Sequence, residues 1–248
     1  HLFLFAKICD HLRFNKDLNS VSSATFVVKP YTICNWGYII RNLSTKYLLT
    51  TVYFCNIKKQ RIKRPVIMSK KVLILSSSPR REGNSDTLCD EFMRGAIEAG
   101  NEAEKVFLRD KTIHYCMGCS VCSQYKKPCP QKDDAAEIIA KMLAADVIVL
   151  STPVYFYAMS AQLKTLLDRC CGPYTEMKNK EFYFLAAAAE GKEGLANLEH
   201  VFDNLMGFID CLENPVVKGK VLATDVWHTG EIKGNPALIE AYEMGKLI

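Results

Sequence analysis

Long apolar runs are missing from this sequence. No stretch approaches the roughly 18 residues that a membrane-crossing helix needs, so no membrane partner is expected. The two commonest glycine-rich nucleotide loops are missing too. There is no G-x-x-x-x-G-K-[ST], and no G-x-G-x-x-G follows an apolar run, which removes the signatures of P-loop enzymes and of the ordinary dinucleotide fold. An even cysteine framework is also absent. The 11 cysteines are an odd number spread through the chain, unlike a disulfide-stapled secreted module, so a reducing, cytoplasmic setting is expected. Acidic residues are scarce in one part only. Residues 1–67 carry two Asp, no Glu and 11 Lys and Arg, while the rest carries 21 Lys and Arg against 25 Asp and Glu. The net charge of +5 is therefore a basic segment joined to a mildly acidic remainder. That remainder has no basic stripe of the kind that tracks a phosphate backbone, so no nucleic-acid partner is expected.

Residues 1–67 contain one Gly and no Met, and they show neither helical nor alternating periodicity. They read either as a targeting presequence, which would be basic and acid-poor, or as a non-native or disordered extension ahead of a domain that begins at Met68. The second reading is preferred, because a transit peptide should be amphipathic and Arg-rich, and this segment is aromatic-rich and patternless. Its basic run Lys58-Lys59-Gln60-Arg61-Ile62-Lys63-Arg64 reads as a solvated tail. Cys55 and Arg61 have phosphatase-like spacing, but no glycine lies between them and no helix cap follows.

From Met68 to Ile248 apolar runs alternate with helical patterns. Strands are expected at 71–75, 103–108, 146–150, 182–187 and 220–223. Helices are expected at 84–99, 133–143, 160–170, 195–208 and 236–244. Near-continuous apolar strands alternating with helices imply an α/β fold. The expected architecture is three-layered, with a doubly wound five-stranded parallel sheet. In such sheets ligands sit beyond the carboxyl ends of the strands. That places attention on Ser76-Ser77-Ser78-Pro79-Arg80-Arg81-Glu82-Gly83-Asn84-Ser85, between the first strand and the first helix. Hydroxyls, backbone N–H groups and a helix N-terminus converge there, which suits a phosphate. Arg80 adds a forked cation, and Gly83 allows close approach of backbone or a positive φ. An ordinary polar turn with a helix cap is the alternative.

The loop Ser78-Pro79-Arg80 followed by Gly83-Asn84-Ser85 resembles that of the NADPH-dependent FMN reductase and iron–sulfur flavoprotein group. Thr152-Pro153-Val154-Tyr155-Phe156 resembles the second flavin loop of that group, and Ser160 to Arg169 resembles the helix that follows it. Ser77 stands where the group more often has Gly. The likeness covers essentially 70–248 and implies a flavodoxin-like fold with FMN as cofactor and NAD(P)H as transient donor. It implies that Ser78, Arg80, Gly83, Asn84 and Ser85 surround the FMN phosphate. Pro153, Val154, Tyr155 and Phe156 would line the isoalloxazine, with Gly191 in the loop Ala189-Glu190-Gly191 on its other side. The implied acceptor is a small molecule or a redox partner protein, and the implied assembly a homodimer or homotetramer. No catalytic acid or base is assigned, since a flavin carries the chemistry itself. His114 is a candidate proton partner, with His228 and Trp227 as weaker ones.

Cys116-x2-Cys119-x2-Cys122-x6-Cys129 follows the second strand. Compact C-x2-C-x2-C runs bring three sulfurs to one face and suit iron–sulfur clusters; the last spacing matches the motif of the iron–sulfur flavoproteins. Three readings stay open here: a [4Fe–4S] cluster, free packing thiols, and four-cysteine zinc. Cys170 and Cys171 read as structural.

Overall fold

The structure, a computed structural model, describes residues 69–248. The segment 1–67 and its run at 58–64 lie outside the described residues. Five strands form one sheet: β1 (Lys71–Ser76), β2 (Glu102–Phe107), β3 (Val147–Pro153), β4 (Glu181–Ala187) and β5 (Val216–Ala223). Their order is β2-β1-β3-β4-β5 and every pairing is parallel. This is the doubly wound flavodoxin-like order, whose switch point lies between β1 and β3.

The helices are α1 (Asn84–Glu98), α2 (Ala135–Ala144), α3 (Ala161–Arg169), α4 (Leu195–Leu198), α5 (His200–Ile209) and α6 (Pro236–Lys246). Side chains alternate across a strand, so each strand feeds two cores. Leu73, Leu75, Ile148, Leu150, Phe182 and Phe184 pack with Ile138 and Met142 of α2, Leu163 and Leu166 of α3, and Val201 and Leu205 of α5. Val72, Ile74, Val147, Val149, Tyr183 and Leu185 pack on the other face with Leu88 and Phe92 of α1 and Ala237 and Ala241 of α6. Burial on both faces explains the continuous apolar runs of β1, β3 and β4.

Three expected elements change their bounds. β3 runs on to Pro153, so Thr152 and Pro153 belong to the strand rather than to the loop after it. The helix expected over 195–208 is α4 and α5, separated at Glu199. The Phe202 N–H donates to the Glu199 carbonyl at 2.9 Å, a tightened turn of the kind that interrupts an α-helix. β5 begins at Val216, before the expected 220, because a register shift opposite Phe182 and Tyr183 breaks its alternation. Among the described residues no helix is long and apolar enough to cross a membrane.

Candidate functional site

β1 and β3 are neighbours, so the loops leaving their carboxyl ends lie side by side. Ser77 ties the first of them down. Its N–H and hydroxyl both donate to the Ser151 carbonyl, at 3.1 and 2.7 Å, and its hydroxyl accepts from Ser160 at 2.9 Å. The Ser77 hydroxyl therefore ties this loop both to β3 and to the residue that precedes α3. Beyond it, the Ser78 hydroxyl accepts from the Arg80 N–H at 3.1 Å and donates to the Arg80 carbonyl at 2.7 Å. Gly83 closes the turn. Its φ is −67°, so a positive φ is not the reason for glycine here. A Cβ at this position would stand 2.5 Å from Ser78 Oγ and 2.9 Å from the Arg80 carbonyl, so glycine is needed for close approach.

Gly83 is also the N-cap of α1, and it brings no capping side chain. The amides of Asn84, Ser85 and Asp86 have no hydrogen-bond partner among the described residues. Three free N–H groups at the positive end of a 15-residue helix are the arrangement that suits an anion. At Asn84 and Ser85 the helix start opens on a cleft of about 160 Å³, lined on one side by Ser78, Pro79, Arg80, Gly83, Asn84 and Ser85. Pro153, Val154 and Tyr155 line another side, with Ala187 at the end of β4, Ala189 beyond it, and Val226 and Trp227 after β5. Val154 is held by donating its N–H to the Ala187 carbonyl at 2.9 Å.

Eight of the ten cofactor-binding residues expected from sequence thus meet in one cleft. Phe156 and Gly191 do not line it. Tyr155 to Ala158 form a tight turn, with Tyr155 and Ala158 exchanging N–H to carbonyl bonds at 3.0 Å. Phe156 and Tyr157 both hold positive φ there, 51° and 59°, and the Phe156 ring is fully exposed at 103%. Gly191 abuts Asp225, where a Cβ would meet Asp225 Oδ1 at 2.7 Å. The Glu190 carboxylate stands against the Tyr157 hydroxyl and raises its pKa.

Asn84 has a role that its place in the loop does not disclose. Its Nδ2 donates to the carbonyls of Val226 at 3.2 Å and His228 at 2.9 Å, and its Oδ1 accepts from the Ile232 N–H at 3.3 Å. Both amide hydrogens are spent on the loop after β5, so this residue offers a ligand its backbone N–H alone. Arg80 reaches the same loop, donating to the Trp227 carbonyl at 3.2 Å. Glu231 folds that loop by accepting the N–H groups of Trp227 at 2.6 Å and His228 at 2.8 Å. Those bonds, His228 first and Trp227 second, hold the Glu231 carboxyl below its usual range. Val226 and Trp227 become a wall of the cleft by this route. Trp227, expected only as a weak proton partner, lines the cleft instead, and Val226 beside it is not among the expected residues; the signal for Val226 is its place just past the end of the last strand. His114 and His228 are exposed and do not line the cleft.

The cysteine loop, 111–134, contains no strand or α-helix. One ion pair anchors both its ends. Arg169 of α3 meets Asp133 at 2.5 Å, with side chains only 3% and 1% exposed. Arg169 also donates to the His114 carbonyl at 2.8 Å and to Cys129 Sγ at 3.4 Å. Burial acts to raise the Asp133 pKa, but hydrogen bonds from Arg169, His114 N–H and Ala135 N–H hold it below the usual carboxylate range. Within the loop, Cys116 lines an open pocket of about 430 Å³ shared with Cys170, Cys171 and Cys211. Cys122 and Cys129 line a separate open pocket of about 370 Å³ with Arg169, and Cys119 is exposed. The four thiols therefore do not surround one void. Among the described residues no three His, Cys, Asp or Glu side chains stand close enough to hold a metal ion. The loop as folded is not a formed zinc site. Cys170 is buried, as expected of a structural residue, whereas Cys171 is exposed.

A helix start with free amides at the carboxyl edge of a flavodoxin-like sheet, beside a cleft walled by apolar and aromatic side chains, has the form of a mononucleotide site in an α/β protein. Residues 70–228 match the family model for NADPH-dependent FMN reductases, and the chain belongs to that family. It is 48% identical over 99 residues to an iron-sulfur flavoprotein of Methanocaldococcus jannaschii, covering 40% of this chain and 51% of the relative. An iron-sulfur flavoprotein of Methanosarcina thermophila is 29% identical over 171 residues, 67% of this chain and 84% of that protein. The chain thus spans about half the length of the first of these relatives. Among solved structures, the NAD(P)H:quinone oxidoreductase of Methanothermobacter marburgensis matches with TM-score 0.57 and 20% identity, over 72% of this chain and 95% of that one. That likeness concerns the fold.

Proposed function

We propose that this chain is an NAD(P)H-dependent FMN oxidoreductase that passes electrons to a small-molecule acceptor or a redox partner protein. The observation that carries this reading is the uncapped start of α1, opening on a cleft with apolar and aromatic walls. FMN has matching chemistry: an anion at one end and a flat apolar ring system at the other. The amides of Asn84, Ser85 and Asp86, with Ser78, Arg80 and the Ser85 hydroxyl, would hold the phosphate. Pro153, Val154, Tyr155 and Trp227 would line the remainder. When bound, FMN supplies hydride acceptance and electron transfer in one- or two-electron steps. The chain's own residues bind and orient it, and no side chain is assigned as acid or base. A cytoplasmic location and a homodimer or homotetramer belong to the same reading; the exposed aromatic rings of the 155–157 turn beside the cleft support contact with a second copy.

The test is direct. The full chain, incubated with FMN and desalted, retains yellow flavin and oxidises NADH or NADPH when a quinone or free flavin is supplied. A protein that takes up no FMN overturns the reading. Reversible reduction with no NAD(P)H turnover would make it a carrier between proteins.

The motif from Cys116 to Cys129, together with relatives named as iron-sulfur flavoproteins, favours a second reading with a [4Fe–4S] cluster. Cys116, Cys119, Cys122 and Cys129 would be its ligands. The loop as folded does not fit one, because the thiols divide between two pockets. It would have to draw together around the cluster. Iron and sulfide analysis after anaerobic purification decides between a cluster and free thiols.

A further inference from the structure

The charges beneath the loop after β1 have no part in the reading above. Asp86 is the third residue of α1, so its carboxylate shares one helix end with the three free amides. It is 6% exposed. Oδ1 accepts from the Ser76 hydroxyl at 2.7 Å and from Lys105 Nζ at 3.0 Å, and Oδ2 from the Glu82 N–H at 3.3 Å. These bonds hold the base of the loop together. They also fix a negative charge beside the place where an anion must sit.

Lys105 comes from a different element, the edge strand β2. Its ammonium bridges Asp86 and Asp90, one turn apart on α1. Burial acts to lower its pKa, but the hydrogen bonds to Asp90 and Asp86 outweigh this and raise it, so the ammonium stays charged. A buried carboxylate without that partner would repel a phosphate dianion at the same helix end, and burial weakens the screening that water would provide. Arg80, the other cation near the cleft, does not touch Asp86; its guanidinium points to the Trp227 carbonyl.

We propose that Lys105 is a positioning residue for phosphate recognition: by offsetting the charge of buried Asp86 it lets the start of α1 accept a phosphate dianion, and so sets the preference for FMN over riboflavin. This rests on the FMN reading. Neither Lys105 nor Asp86 needs to touch the flavin.

The experiment measures dissociation constants of the full chain for FMN and for riboflavin, from quenching of flavin fluorescence. The wild type binds FMN more tightly. Lys105→Met weakens FMN about tenfold or more, equivalent to ~1.4 kcal/mol, and changes riboflavin by no more than about twofold. Lys105→Arg, which keeps the charge, keeps the wild-type ratio. Asp86→Asn, which removes the negative charge, raises the ratio in favour of FMN. A merely structural role would lower both affinities together. Equal losses in Lys105→Met, or a lost ratio in Lys105→Arg, overturn the proposal while leaving FMN binding intact. If Lys105→Met does not fold, the other two variants still decide it. A wild type that binds no flavin removes the FMN reading and this proposal together.

Discussion

Asn84 separates two accounts of the loop after β1 by the sign of one substitution. If Asn84 were simply the first residue of a helix, Asp would be neutral or stabilising there, by about 0.3–1 kcal/mol through the helix dipole. The structure predicts the opposite. The Asn84 amide donates to two carbonyls, of Val226 and His228, and accepts from the Ile232 N–H. Asn84→Ala deletes three bonds, each worth about 1 kcal/mol net, and strands partly buried carbonyls, for a loss of about 2–4 kcal/mol. Asn84→Asp keeps the acceptor but turns a carboxylate oxygen toward both carbonyls. It should cost about 1 kcal/mol more than Ala, through burial of an unpaired charge. For a domain of this size each kcal/mol lowers Tm by about 2–4 °C. Calorimetry should therefore show Asn84→Ala down by about 5–15 °C and Asn84→Asp lower still. Flavin affinity should fall in both, since Val226 and Trp227 lose their anchor. A Tm for Asn84→Asp at or above wild type would refute the account of Asn84 as the staple of this wall.

Other perturbations test other parts of the fold. At the α1–α6 crossing, a Cβ on Gly95 would collide with the Tyr242 carbonyl and one on Gly245 with the Phe92 carbonyl. Alanine normally gains about 1 kcal/mol over glycine inside a helix, yet Gly95→Ala and Gly245→Ala should each destabilise by about 1–3 kcal/mol in denaturant titrations, because backbone cannot yield. Arg169→Met should cost about 3–5 kcal/mol at neutral pH by leaving Asp133 buried and unpaired. In the wild type the Asp133 pKa is depressed, so its contribution is complete above about pH 4 and is lost as pH falls through the folded value. Without Arg169 that pKa rises and the variant regains stability on acidification, so the gap in Tm narrows as pH drops. A constant gap would contradict the pairing. Finally, exposed Cys116, Cys119, Cys171 and Cys211 should be alkylated first, and Cys89 and Cys170, buried with thiols pushed up to about 12, only on unfolding. Peptide mass mapping reads the order.

Local pattern determined a good deal. The apolar runs at 71–75, 146–150 and 182–187 are strands because only a sheet covered on both faces makes such runs favourable. The alternation of strands and helices implied the parallel order, and the stretch from Ser78 to Ser85 marked the helix start that offers its amides. These features depend on neighbours in sequence, so composition and spacing expose them. Tertiary structure alone decided what those residues spend their bonds on. Asn84 binds a loop more than 140 positions away, and Lys105 crosses from another element to Asp86. Phe156 turns outward because residues 155–158 close into a tight turn. The cysteine spacing resembles a cluster motif, but the fold sets Cys129 against Arg169 and Cys116 in a different pocket. A chain's local pattern fixes which elements form. Which side chain completes which hydrogen bond is settled only when distant segments meet, since each donor is committed to whichever acceptor the packed fold brings within reach.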